Sequence, residues 1–194
     1  MIIDPKTTPA EDVYKVLIGS IVPRPIAFVS TVSATGVRNV APFSFFTVAS
    51  ADPPVLCFTP TGRKDTLVNI RETRQFVVNI VSEDFAEKMN TASGSYARDV
   101  DEFEIARLTP VASDLVRPPR VAESRVQMEC ELYQILEIGL GALVLGQVVR
   151  IHVDDRIVDH FRIDPDQLRA IGRMGGNTYS RTTDRFDLVR PKVG

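Results

Sequence analysis

The segment from Gly62 to Thr66 reads Gly-Arg-Lys-Asp-Thr and combines two cations with a hydroxyl at the predicted start of a helix. Backbone N–H groups in the first turn of a helix have no partner within the helix, and together with the helix dipole they attract anions. Lys64 adds positive charge and Thr66 adds a hydroxyl donor. This combination favours a phosphate-binding site, although a capped surface helix with charged flanks explains the same residues.

A second candidate group lies in residues 23–25 and 39–46, which read Pro-Arg-Pro and Asn-Val-Ala-Pro-Phe-Ser-Phe-Phe. The two prolines hold Arg24 on a stiff, extended backbone, which suits a fixed contact. Asn39 and Ser44 add hydrogen-bonding groups beside an aromatic wall. Taken alone, these residues are better explained as a strand end with an arginine at its rim.

A third candidate is the segment Arg173–Tyr179, which contains two adjacent glycines. Glycine lets the backbone approach a ligand closely, because it carries no Cβ atom. Tyr179 could then pack on a flat ring. The alternative is that the segment is only a flexible turn.

The sequence lacks the motifs of several common enzyme classes. It has no nucleophile elbow, P-loop, dinucleotide-binding glycine fingerprint or zinc-protease helix. With His152 and His160 as the only histidines, a metal site or a nucleophilic triad would have few parts. We therefore predict no metal site and assign no catalytic side chain. An enzyme with this sequence would take its chemistry from a cofactor.

The composition is that of an ordinary globular protein, with 44% hydrophobic and 25% charged residues among 194. The net charge of −2 does not favour nucleic acid as a partner. The longest apolar run, residues 138–149, is too short to span a membrane. The first residues lack the basic and apolar parts of a signal peptide. We therefore expect a cytoplasmic protein without a membrane partner.

Short strands must position the candidate residues. Runs of β-branched and aromatic residues between turn signals predict strands at 25–33, 37–41, 43–49, 55–59 and 76–80. Helical periodicity predicts helices at 64–73 and 83–91, with short helices near Glu102 and after Asp164. This order lacks the regular βαβ alternation of a doubly wound sheet. We therefore predict a mostly β fold with peripheral helices, a β-barrel.

The clearest predicted strand covers residues 127–134, where apolar and polar side chains alternate. The alternation predicts a buried face and a wet face, with Gln127 and Glu129 on the wet one. Residues 141–153 are its expected partner. In that strand His152 lies on the face opposite Ile151 and Val153, where it can reach a polar cavity; a solvent-facing histidine is the alternative.

Several segments, taken in order from Pro23 to about Pro191, resemble the flavin reductase-like family with the FMN-binding split-barrel fold, and in particular its flavoredoxin-type branch. The segments are PRPIAFVST, NVAPFSFF, DPPVLCF, KDTLVNI, FVVNI, DEF at 101–103, LGQVVRIHV and RMGGNTY. The resemblance implies one FMN-binding domain over residues 1–194, with residues 154–194 as a C-terminal extension packed on the barrel. It also implies a homodimer with FMN at or near the interface.

The resemblance further implies which residues bind the cofactor. Lys64, Asp65 and Thr66 match the phosphate-binding segment. Ser44 and Phe45 match the strand that runs along the flavin. The remaining cofactor-binding candidates are Arg24, Pro25, Thr31, Asn39, Tyr96, Arg173 and Tyr179. His152 lies where such reductases often carry a histidine near the nicotinamide, so it is a candidate substrate-binding residue. Asn79 is interpreted as a structural hydrogen bonder.

Three functions follow as hypotheses. The first is an oxidoreductase that transfers hydride from NAD(P)H to FMN, with a protein electron acceptor or a monooxygenase as a further partner. The second is an FMN-binding electron carrier without nicotinamide reductase activity. The third is a β-barrel binding module without a cofactor, for which the phosphate-like and glycine-rich segments would be coincidental.

Overall fold

The computed structural model describes residues 1–62 and 64–191. Arg63, one of the two cations in the predicted phosphate segment, lies outside the described residues. So do residues 192–194, at the end of the predicted C-terminal extension.

Strands account for most of the secondary structure of the described residues. In chain order they are β1 (Ala27–Val32), β2 (Arg38–Phe43), β3 (Phe46–Ala51), β4 (Pro54–Phe58), β5 (Gln75–Ile80), β6 (Pro110–Val111), β7 (Arg120–Val121), β8 (Val126–Ile138), β9 (Gly141–Val153), β10 (Val158–Asp159), β11 (Arg162–Ile163), β12 (Ile171–Arg173) and β13 (Tyr179–Arg181). The helices are α1 (Ala10–Ser20), α2 (Asp65–Thr73), α3 (Ala86–Thr91), α4 (Glu102–Ile105) and α5 (Pro165–Leu168). The predicted mostly β fold with peripheral helices is confirmed.

The seven long strands form one antiparallel sheet in the order β2-β1-β5-β8-β9-β4-β3. Its two edge strands, β2 and β3, are consecutive in the chain and are joined only by Ser44 and Phe45. Because so short a link cannot cross a flat sheet of seven strands, the sheet must curl until its edges meet. The predicted strand at 43–49 is therefore interrupted at this link, where the chain passes from one edge to the other.

The interior of the curled sheet holds the first of two apolar cores. Phe58, Phe76 and Val78 are fully buried there, and Leu67 and Ile70 of α2 close one end. Leu67 and Ile70 are three residues apart, so the helix period places both on the same face of α2.

Close packing in this core requires a glycine on β9. A Cβ atom at Gly146 would lie 2.1 Å from Cζ of Phe76. The ring of Phe76, which is fully buried, occupies the space that a side chain would need. Strand β9 thus follows its predicted bounds, and its glycine has a packing role.

The second core lies on the outer face of β1 and β2. Phe28 and Val40 from these strands meet Phe85, Met89 and Phe103, which the helical segments supply. Since both faces of β1 are covered, every residue of this strand is buried. Asn79 is also buried, and its amide donates to the carbonyl of Phe28 and accepts from the Val121 N–H, as expected of a structural residue.

The predicted wet face of β8 is wrong for Gln127 and Glu129, which are both buried. The segment 112–118 covers this face, and its backbone N–H groups at Asp114 and Leu115 donate to the Glu129 carboxylate. A register shift between Glu129 and Cys130 also disturbs the alternation across the β8–β9 pair. As a result Ile151, predicted to face inward, is 56% exposed.

The sequence patterns did not predict α1, which has no fully buried residue. At the other end of the chain, β12 pairs with the segment before β1 through two backbone hydrogen bonds between Arg24 and Arg173. Among the described residues, no helix is long and apolar enough to cross a membrane.

Candidate functional site

Two adjoining cavities form one cleft beside β2. The larger, of about 780 Å³, lies between α1, the β2–β3 link and the β12–β13 hairpin. The smaller, of about 170 Å³, lies between β2, the start of α2 and the loop that follows α3. Pro42 and Ser93 line both. We call the two cavities together the cleft.

The cleft unites most of the residues singled out in the sequence. The larger cavity is lined by Arg24, Ser44, Arg173 and Tyr179. The smaller one is lined by Asn39, Lys64, Asp65, Thr66 and Tyr96. Segments that are more than 100 residues apart in the chain thus border one space.

The start of α2 forms the wall of the smaller cavity. Lys64 precedes the helix in an extended conformation, and its side chain makes no cap hydrogen bond. The Leu67 and Val68 N–H groups donate to the Lys64 carbonyl, whereas those of Asp65 and Thr66 have no acceptor among the described residues. Two amides without an acceptor in the described part of the chain, the helix dipole and an exposed ammonium group therefore favour an anion here.

A buried hydrogen-bonded cluster lies directly behind this wall. The Thr66 hydroxyl donates to Oδ1 of Asn39 (2.9 Å), and so does the Thr31 hydroxyl (3.1 Å). Asn69 in turn donates to the Thr31 oxygen (3.0 Å). Thr31 is fully buried and lines neither cavity. The Thr66 hydroxyl would have to rotate away from Asn39 to donate to a ligand.

Glu102 is a residue of this wall that sequence reasoning did not assign. It is 7% exposed, and its Oε2 accepts hydrogen bonds from the Val40 N–H (2.8 Å) and from the Asn39 amide. Burial raises the pKa of Glu102 to about 7, and the Asp65 and Asp101 carboxylates add to the rise. The Val40 N–H and Lys64 act in the opposite direction and lower this pKa. The available signal was the Asp-Glu-Phe segment, in which Asp101 caps α4 by accepting from the Phe103 N–H.

Arg24 braces the larger cavity. Arg24 is only 6% exposed. Its Nη1 donates to the carbonyls of Ile18 (2.5 Å) and Ile21 (2.7 Å) at the end of α1. Nη2 donates to the carbonyl of Met174 (2.8 Å), and Nε lies 3.4 Å from the Ser44 hydroxyl. The guanidinium therefore ties three walls of the cavity together, and most of its donors are used within the protein.

The aromatic candidates occupy different positions relative to the cleft. Arg173 stacks on the Tyr179 ring, 4.5 Å from its centroid, so one face of that ring is covered. Tyr96 donates from its hydroxyl to the Thr91 carbonyl (2.8 Å). Phe45 is 41% exposed and lines neither cavity, but its ring lies 6.5 Å from that of Tyr14, which lines the larger one. Pro25 is exposed and lines neither cavity.

His152 lies in a different part of the described structure. It lines a cavity of about 490 Å³ that shares no residue with the cleft. Its Nε2 is 2.6 Å from Oε1 of Glu129. Burial by itself would raise the pKa of Glu129, but hydrogen bonds from Asp114, His152 and Leu115 outweigh it and lower that pKa. The contact of His152 with a nicotinamide stays a prediction, for which Nδ1 is the available ring atom.

Asp114, Glu129 and His152 also bring potential metal-ligating atoms within 4.8 Å of one another. The Glu129 oxygens already accept backbone N–H groups, and Asp114 pairs with Arg150 (2.9 Å). These partners make the group an ion-pair and hydrogen-bond network.

The fold and the cleft were compared with known proteins. Residues 18–173 match the model of the flavin reductase like domain, so the chain belongs to this family. An uncharacterized protein of Aquifex aeolicus (strain VF5) is 41% identical over 180 residues, which cover 90% of this chain and 92% of that protein.

Solved structures show the same relationship. Nitrilotriacetate monooxygenase component B from Bacillus cereus superposes with a TM-score of 0.95 at 35% identity, covering 97% of this chain and 98% of that one. Pseudomonas fluorescens 2-nitrobenzoate 2-nitroreductase NbaA gives 0.92 at 33% identity, covering 98% and 96%. The flavoredoxin of Desulfovibrio vulgaris (Miyazaki F) shares the fold, with a TM-score of 0.79 at 19% identity over 86% and 91% of the two chains. The predicted split barrel and family are confirmed.

Proposed function

We propose that this protein binds FMN in the cleft and transfers hydride from NAD(P)H to the flavin. The observation that carries this proposal is the shape and chemistry of the cleft. One end offers Lys64 and the amides of the first turn of α2, and the other offers a larger space bordered by Tyr179 and Arg173. FMN has the matching division into a phosphate, a polar chain and a flat ring.

The donor set fits the cofactor at both ends. The Asp65 and Thr66 N–H groups and the Lys64 ammonium would hold the phosphate, because they supply donors and positive charge without a competing cap. The Ser44 hydroxyl lines the larger cavity and would address a polar edge of the ring. Arg24 would act on the ring indirectly, by fixing Ser44 and the Met174 backbone.

Bound FMN supplies the redox chemistry, since its ring accepts a hydride. The residues of this chain bind and orient the ring and limit the access of water. No nucleophilic side chain is needed for that reaction, which agrees with the lack of a nucleophile motif in the sequence. Ser93, which lines both cavities, lies where the two ends of the cofactor would join.

A homodimer belongs to the same proposal. Large apolar side chains are exposed along β3 and the β8–β9 hairpin: Val48, Tyr133, Leu136, Ile138 and Leu140. Exposed apolar patches of this kind are typical of protein interfaces. A second copy would cover them. We also propose a protein electron acceptor such as a monooxygenase, because the similar B. cereus protein is named as a component of a monooxygenase. A cytoplasmic location belongs to the proposal as well.

The test is an absorbance spectrum of the purified protein, followed by anaerobic addition of NADH or NADPH. A yellow protein that bleaches with either nicotinamide supports the reductase. Flavin that stays oxidised until a reduced protein donor is added supports the electron carrier instead. A colourless protein that does not bind added FMN would favour the cofactor-free binding module and refute both.

The phosphate end is tested separately. Lys64→Ala combined with Thr66→Ala should weaken FMN binding by at least about tenfold, because the ammonium is lost and no Thr66 hydroxyl can turn from Asn39 to the phosphate. Riboflavin, which has no phosphate, should bind almost equally to both proteins. Lys15→Ala is the matched control, because Lys15 is an exposed lysine on α1 paired with Glu11 and Asp12. An equal loss for both ligands would show that this segment does not bind the phosphate.

A further inference from the structure

Glu102 places a carboxyl group in the wall of the cavity proposed for the phosphate. The cavity is lined by Glu102 together with Lys64, Asp65 and Thr66. A carboxylate and a phosphate repel each other, so a buried glutamate is an unexpected neighbour for that ligand. The inference below rests on the proposed FMN site and concerns the role of Glu102 within it.

The two oxygens of Glu102 have different surroundings. Oε2 is bound to β2 through the Val40 N–H and the Asn39 amide. Oε1 has no hydrogen-bond partner among the described residues, and it is not among their fully enclosed unpartnered atoms. Since Oε2 is held against β2, Oε1 is the oxygen left for the cavity.

The charges around Glu102 are mixed. Lys64 and Asp65 face it from the start of α2, and Arg38 of β2 pairs with Asp101 beside α4. On its own helix the neighbouring acids are Asp101 and Glu104, and both pair with Arg38. Tyr96 completes the lining on the loop side. One described cation, Lys64, therefore faces Glu102 from the cavity together with a second acid, Asp65.

A phosphate monoester adds a charge of roughly −1.5 to −2 to this cavity at neutral pH. With Glu102 ionised, the ligand would meet two carboxylates. With Glu102 protonated, one negative charge disappears and Oε1 becomes an O–H donor directed at an acceptor-rich ligand.

We propose that Glu102 binds the FMN phosphate in its protonated form, so that FMN binding takes up a proton from solvent. The proton goes to the carboxyl oxygen on the cavity side, and the hydrogen bonds to β2 are kept. Glu102 thereby becomes a phosphate ligand that distinguishes FMN from riboflavin in a pH-dependent way.

The resting pKa of Glu102, raised to about 7 by burial, agrees with this role. The Glu102 carboxyl group is mostly protonated at pH 6 and mostly ionised at pH 8. FMN binding must therefore take up a proton from solvent at pH 8 but hardly at pH 6. The FMN dissociation constant should accordingly rise by up to about tenfold per pH unit above pH 7. Riboflavin binding should not follow this curve.

Glu102→Gln gives the sharpest variant. The glutamine carbonyl can still accept from Val40 and Asn39, and its NH₂ group replaces the proposed O–H donor at all pH values. We expect this variant to bind FMN about tenfold more tightly than the wild type at pH 8, with little difference at pH 6. Glu104→Gln is the matched control on the same helix, since the Glu104 side chain is 76% exposed.

Isothermal titration calorimetry in buffers of different ionisation enthalpy measures the proton uptake of the wild-type protein directly, without relying on a variant that could misfold. At pH 8 we expect roughly 0.5 to 1 proton per FMN and almost none per riboflavin. Uptake in the wild type that disappears in Glu102→Gln but persists in Glu104→Gln supports the proposal. FMN binding without uptake, or equal uptake in all three proteins, would overturn it. Failure of both flavins to bind would instead refute the FMN site itself.

Discussion

Replacing Arg24 with methionine should lower the free energy of unfolding of the protein, because this one side chain joins three separate segments. Methionine has similar length but no donor, so the carbonyls of Ile18, Ile21 and Met174 lose their partners. Hydrogen bonds from charged groups contribute about 1.5–3 kcal/mol each. Water can reach part of the exposed α1 end, so the expected loss is below the full sum, at about 3 kcal/mol.

Urea unfolding followed by circular dichroism measures this loss as a lower free energy of unfolding at an unchanged m-value. For a protein of this size, about 3 kcal/mol corresponds to a melting temperature lower by roughly 6–12 °C. Arg156→Met is the control, because that side chain is 84% exposed and pairs only with Asp154 among the described residues; its change should stay within about 0.5 kcal/mol. A loss below about 1 kcal/mol for Arg24→Met would refute the bracing role.

Three further predictions concern the core, His152 and the assembly. Gly146→Ala should destabilise the protein by about 3 kcal/mol in urea unfolding, because the new Cβ atom would clash with Phe76. Gly19→Ala is the control: a Cβ atom there would meet nothing within 4 Å, so this change should be neutral or slightly stabilising. His152→Ala should lower the free energy of unfolding by about 1 kcal/mol, because the contact with Glu129 is lost. It should also raise the KM for NAD(P)H about fivefold and leave FMN binding intact. An unchanged KM would leave His152 with a structural role only. Sedimentation at micromolar concentration should give a dimer, and a monomer with full FMN occupancy would contradict the proposed assembly.

Local patterns in the sequence were sufficient for most of the elements and for one end of the cleft. The start of α2, the bounds of β9 and the helix after Asp164 all depend on residues within a few positions of one another. A helix start with a cation and a hydroxyl is likewise a local feature, which is why Lys64, Asp65 and Thr66 could be selected from the sequence.

The failures in β8 have the opposite cause. The alternation of apolar and polar residues predicted that Glu129 is exposed to solvent. Instead, a segment 11 to 17 residues earlier in the chain folds over it and supplies its hydrogen-bond donors. No pattern within the strand contains that information. The position of α1, which was not predicted, likewise depends on a contact outside the helix: Arg24 donates to the carbonyls of Ile18 and Ile21 at its C-terminal end.

The sequence alone therefore determined the seven strands of the main sheet, the starts of α2 and α5 and the family resemblance, since these follow from side-chain type and near-neighbour spacing. Only the tertiary structure decided which groups share the cleft. Glu102 meets Asn39 across 63 positions of the chain, and Arg24 meets Met174 across 150. Such contacts depend on how the sheet curls to bring its edges together, and the burial that this closure imposes gives Glu102 its unusual proton affinity.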